Sequence, residues 1–226
     1  MKMDSSQWID LNPNIKIIPS NRKFYNQYPY KITFYVVKAY ALRMANDADH
    51  LEQISKLSRH KLSWLDSAIL NDFFQMYQSR QQDFRFRCEG DSISIFSENE
   101  YTLYDLVISD LSGHTSRLES ITRIINDKDR EVIESDKIIM RTPTEFRYKV
   151  MLRSGFKNIN DRRNLAKYLL SIQSEIKISD LLLHGMLSQY KYLTSCYFYV
   201  NDPKIVSMIA LVAPNIVKRV QEVVVH

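Results

Sequence analysis

Phe84-Arg-Phe-Arg-Cys-Glu-Gly-Asp-Ser-Ile-Ser-Ile-Phe96 is the stretch that decides how this chain reads. The spacing predicts two strands, Phe84 to Cys88 and Ile93 to Phe96, joined in a hairpin about Glu89-Gly90-Asp91. Side chains alternate across a strand, so Phe84 and Phe86 face one way and Arg85 and Arg87 the other.

Working outward, Tyr30 to Val37 alternates in the same manner. Tyr30, Ile32, Phe34 and Val36 fall on one face, with Lys31, Thr33, Tyr35 and Val37 on the other. Between that strand and the hairpin, helical spacing of apolar residues predicts helices over 47–60 and 66–82, the second capped by Asp66. After the hairpin come helices near 99–111 and 115–126, broken at Ser112-Gly113, and a short strand near 137–140. A long strand, Phe146 to Arg153, is followed by helices over 161–173 and 179–190 and by a strand from Ser195 to Val200. The end reads as helical apart from a break at Pro214, with the valine-rich tail docking on the body or on a second copy. Residues 1–27, which include Pro13 and Pro19, read as irregular.

The expected fold class is α+β, a mainly antiparallel sheet with helices on one face. Residues 28–140 follow the order of a ferredoxin-like, split βαβ unit. Residues 141–226 form a second α/β unit or extend the same sheet. One echo runs through the chain: Ser94-Ile-Phe-Ser-Glu-Asn-Glu and Tyr197-Phe-Tyr-Val-Asn-Asp-Pro each pass from a strand through an Asn/Asp turn into a helix. Two ordinary strand-to-helix junctions account for it more simply than a duplication.

Composition removes several function classes. The 226 residues hold 4 Gly, so no glycine-rich phosphate loop or dinucleotide fingerprint can form. His50, His60, His114, His184 and His226 show no metal-ligand spacing, and no GxSxG elbow occurs. No catalytic residue, metal or cofactor is expected. Cys88 and Cys196 read as buried free thiols. With no apolar stretch of the ~18 residues that a membrane span needs, and no secretory signal, the expected setting is the cytoplasm of a bacterium or host cell, or a virion.

The formal net charge is +5, and it is unevenly spread. Residues 141–170 carry eight basic and two acidic residues; residues 98–136 carry four and ten. On the strands, Arg85 and Arg87 oppose the phenylalanines; Arg147, Lys149 and Arg153 oppose Phe146, Tyr148, Val150 and Leu152; Tyr197 and Tyr199 oppose Phe198; Lys31 and Tyr35 oppose Ile32 and Phe34. If these strands share a sheet, one face gathers cations that neutralise phosphate and phenol rings on which bases stack. Arg162 and Arg163 add phosphate contacts from the helix over 161–173. The expected function is non-enzymatic binding of single-stranded nucleic acid, as in a phage or viral accessory protein. The alternatives are a viral structural or assembly protein that self-associates through opposed charges, and a metal-dependent nuclease built on Asp127, Asp129, Glu131, Glu134 and Asp136.

Overall fold

The computed structural model describes residues 3–57, 62–135, 137–155, 158–188, 193, 196–214 and 216–225. His60, Asp136, Lys157, Ser195, His226 and the far ends of the helices expected over 47–60 and 179–190 lie outside these residues. The chain divides into two compact units, Met1–Arg130 and Glu131–His226, each a sheet with helices.

The first unit begins with α1 (Ser5–Leu11), β1 (Lys16–Pro19) and β2 (Tyr30–Tyr35). There follow α2 (Ala41–Met44), α3 (Ala48–Leu57), α4 (Trp64–Arg80), β3 (Arg85–Glu89), β4 (Ser92–Ser97), α5 (Glu100–Asp110) and β5 (Leu118–Arg123). The spatial order is β1-β5-β2-β4-β3. β1 runs parallel to β5, and every other neighbouring pair is antiparallel. The β3–β4 hairpin turns at Gly90, whose φ of +53° is a left-handed conformation that costs glycine least. Ile32, Phe34, Ile93 and Ile95 are sealed beneath the helices; Phe34 meets Phe73 of α4 edge-on at 5.1 Å. At the end of β5, the buried Arg123 pairs with Glu100 of α5 at 2.8 Å. It also donates to Ser5 Oγ and Met3 O, and Trp8 Nε1 donates to Glu100, so α1 is tied to the core.

Several expectations are corrected here. Residues 1–27 supply α1 and β1, and α1 is signalled by a capping box in which Asp4 and Gln7 satisfy each other's backbone N–H groups. Ser63, not Asp66, caps α4: its Oγ accepts from Asp66 N and donates to the Asp66 carboxylate. The helix expected over 115–126 is a 3-10 turn, Ser112–Arg117, followed by β5. Ile121, Thr122 and Ile124 are β-branched and fit a pleated surface better than a helix.

α6 (Asp127–Glu134) crosses the division between units. The second unit then holds β6 (Ile138–Met140), β7 (Tyr148–Leu152), α7 (Ile159–Ser171), β8 (Ile176–Lys177), α8 (Asp180–Leu187), β9 (Tyr197–Val200), α9 (Pro203–Val212) and β10 (Val217–Val225). The tail expected to be helical is therefore a strand, as its run of valines favours. It sits inside the sheet, whose order is β6-β10-β7-β9-β8. Val150, Leu152, Phe198 and Val200 pack against Leu165 and Leu169 of α7, Leu182 and Met186 of α8, and Ile209 of α9.

The two units repeat one topology. β6 to β10 stand in the order, and with the parallel and antiparallel pairings, of β1 to β5. α5 links β4 to β5 as α9 links β9 to β10; the connections differ in that α2, α3 and α4 stand between β2 and β3 where α7 stands between β7 and β8, and in that the hairpin turn at Gly90 is replaced by α8. The paired junctions in the sequence belong to this repeat. Asn99, three residues after Phe96, caps α5 through Tyr101 N; Asp202, three residues after Tyr199, caps α9 through Lys204 N. What reads as two ordinary junctions is the same structural position met twice.

Candidate nucleic-acid interface

The strand registers define which residues stand side by side on the faces turned away from the helices. Across β5, β2, β4 and β3 one row reads Thr122, Lys31, Phe96, Arg85. Across β10, β7, β9 and β8 the equivalent row reads Gln221, Lys149, Tyr199, Lys177. Each is a hydrogen-bonding residue, a lysine, an aromatic ring and a basic residue, in that order. The next row is Ser120, Thr33, Ser94 and Arg87 in the first sheet, and Arg219, Met151 and Tyr197 in the second.

The expected platform is thus divided. Lys31, Tyr35, Arg85 and Arg87 lie on the first sheet, while Lys149, Tyr197 and Tyr199 lie on the second. Arg147 and Arg153 flank β7 and are exposed. The physical reason is β10: with its own inner strand, the second unit completes a five-stranded sheet and has no need to extend the first.

On the first sheet, Arg85 stacks over Tyr25 at 5.0 Å and Lys31 lies 5.5 Å from the Phe24 ring. Phe24 and Tyr25 cover Phe96, at 5.3 and 5.1 Å. They are held there by a tight turn in which Phe24 and Tyr28 exchange backbone hydrogen bonds and Tyr25 and Asn26 take positive φ, as primed hairpin turns require. Arg87 pairs with Glu89 at 2.9 Å, an ion pair that raises its pKa. Tyr35 is exposed and stands 5.9 Å from the Arg117 guanidinium. The middle of the face is closed to solvent at Thr33, Ser120 and Thr122.

On the second sheet the cation and rings form one cluster. Lys149 Nζ lies 3.9 Å from the Tyr197 centroid and 5.7 Å from that of Tyr199. The two rings meet edge-on at 5.8 Å. Tyr197 is 43% exposed and Lys177 is exposed, whereas Gln221 is buried. Arg147 opens onto a shallow depression shared with Glu145 and Asp202, so acidic groups offset it. Lys177 escapes sequence reading because β8 is two residues long, too short to show a period.

Arg162 is corrected outright. It is 2% exposed, and its guanidinium donates to the Ser188 carbonyl, bracing α7 against the end of α8. Arg163 and Lys167 of the same helix face solvent. The acids of 127–134 lie along α6, with Asp129 buried and Asp127 beside Arg130. Among the described residues no three His, Cys, Asp or Glu side chains are grouped to hold a metal ion. Nor is any helix among them long and apolar enough to cross a membrane.

Charge separates the two sheets. The second unit has 14 Lys and Arg against 9 Asp and Glu; the first has 17 of each. The whole net charge of +5 therefore resides in residues 131–226. Comparison with known protein families, with curated proteins and with solved structures gives no match.

Proposed function

We propose that this chain binds single-stranded nucleic acid and that the second sheet carries the contact. The observation that supports this reading most is the Lys149–Tyr197–Tyr199 cluster, seated in the unit that holds the net positive charge. An ammonium beside two phenol rings pairs the two interactions a flexible strand offers: phosphate neutralisation and stacking on an unpaired base. Lys177 extends the cationic row past Tyr199, and Arg153 adds a cation beyond the end of β7. The tyrosines lend themselves to any base, so the reading implies little sequence preference.

Fluorescence anisotropy with labelled oligonucleotides tests the reading. Lys149→Glu is expected to abolish binding, and Tyr197→Ala to weaken it by about 5- to 150-fold, the range that corresponds to one stacked base. Both positions are on the face away from the core, so thermal melting should change little. Wild-type affinity in Lys149→Glu would remove the second sheet from the interface.

A further inference from the structure

The strand-binding reading leaves unused a recess of about 270 Å³ on the first sheet. Its lining includes Ser92 and Ser94 of β4, and Ser94 Oγ lies 3.3 Å from Thr33 Oγ1. Phe24 and Phe96 give it an aromatic wall. Two cations and one carboxylate, Lys31, Arg87 and Glu89, complete it. Glu89 is engaged by Arg87 at 2.9 Å. Lys31 is half-buried, and among the described residues no carboxylate pairs with it; its ammonium meets the Phe24 ring. Burial, and then the nearby Arg87 charge, hold its pKa below the ordinary lysine range. A half-buried cation lacking a counter-charge is costly, and an anion entering beside it relieves that cost.

The repeat explains why there is space here. Ser94 occupies the position that Tyr197 occupies in the second sheet, and Lys31 that of Lys149. Where Tyr197 lies against Lys149, the smaller Ser94 leaves a gap beside Lys31 and contributes a hydroxyl to it. At about 270 Å³ the recess lies just below the roughly 300–1,000 Å³ of pockets that hold drug-sized ligands, and it has room for one compact anion.

We propose that the recess binds a phosphate group, held between Lys31 Nζ and the Arg87 guanidinium and hydrogen-bonded by the hydroxyls of Ser92 and Ser94. A phosphate dianion accepts several hydrogen bonds at once, which suits a recess lined by two cations and two hydroxyls. Such a group reaches the site as free phosphate or as the terminal monoester of a nucleic-acid strand. The site is separate from the second sheet's cluster and does not depend on it.

The test is calorimetric titration of the full chain with inorganic phosphate, together with anisotropy using oligothymidylates that carry a 5′-phosphate or a 5′-hydroxyl. Saturable phosphate binding is expected in the wild type. It should weaken by at least about tenfold in Lys31→Met, which keeps the stem and removes the charge, and in Ser94→Tyr, which fills the gap; Lys149→Glu should leave it unchanged. Circular dichroism and melting confirm the fold, and Ser94→Tyr carries the result if Lys31→Met is damaged. A tighter complex with the 5′-phosphorylated strand, abolished in Lys31→Met, assigns the phosphate to a strand end. Equal affinity for both strands, alongside Lys31-dependent phosphate binding, assigns it to the free ion. Failure of the wild type to saturate at millimolar phosphate, or equal phosphate affinity in the wild type and both variants, overturns the site. Loss of strand binding in Lys149→Glu is scored separately and bears on the second sheet alone.

Discussion

Cys88 shows what alternation decides for one residue. It follows Phe86 on the helix-facing side of β3, and burial raises its thiol pKa to about 12 from an ordinary value near 9. The same burial keeps the thiolate, the reactive form, out of reach at neutral pH. Below pH 9 both folded and unfolded chains keep this proton. Between 9 and 12 the unfolded chain releases it and the folded chain does not, so stability falls as pH rises, by at most about 1.4 kcal/mol per unit. Urea titrations from pH 8 to 11 should show that decline, shallower in Cys88→Ala. Equal slopes in both proteins would mean that other groups govern the alkaline limb. Cys196, less buried, has its thiol raised more modestly. Arg162 teaches the opposite lesson. Its residue type points to the surface, where arginine usually lies, yet it shares the spacing of Leu165, Ala166 and Leu169, the buried stripe of α7. The period carries the answer, and residue type conceals it.

Elements are legible where local signals agree. The β3–β4 hairpin follows from alternation and a single glycine, and α5 from its Asn99 cap. Elements escape where two signals compete: Leu118–Arg123 leads into isoleucines at helical spacing, and Val217–Val225 alternates too weakly to mark a strand, although β-branched residues fill it. Pairing is not legible at all, since which strands share a sheet depends on neighbours far apart in sequence. The faces bearing Arg85, Lys149 and Tyr199 can be read from alternation, but not their separation onto two sheets. At this scale the repeat makes a quantitative prediction. Asn99 and Asp202 occupy one structural position and each accepts from the N–H two residues on. Asn99→Ala and Asp202→Ala should each cost about 1 kcal/mol by chemical denaturation, within the range of about 0.5–2 kcal/mol for removing an N-cap. A loss at one position with none at the other would show that the two junctions are not energetically equivalent.

At the scale of the whole molecule, topology and charge point in different directions. The row of polar residue, lysine, aromatic and basic residue is present on both sheets, so geometry alone would give both an equal share of a strand. Charge is not repeated: the second unit carries the full +5 and the first none. On the proposed reading, affinity for a nucleic-acid strand rests mainly on phosphate neutralisation, which responds to the local balance of charge and to salt. The aromatic positions reinforce that asymmetry: Phe96 is buried under Phe24 and Tyr25, whereas its counterpart Tyr199 is only partly buried and the second sheet adds an exposed ring, Tyr197, where the first has Ser94. Arg85 and Lys177 hold equivalent places in the two rows and are both exposed, so reversing each isolates the effect of its surroundings. With a 5′-hydroxyl strand, Lys177→Glu should weaken binding strongly and reduce the slope of log affinity against log salt by about 1 for each phosphate no longer neutralised. Arg85→Glu should leave affinity within about twofold, since its partner is Tyr25 and its unit has no net charge to lend. Equal effects in the two variants would mean that the repeated row, rather than the charge of the unit around it, sets the affinity.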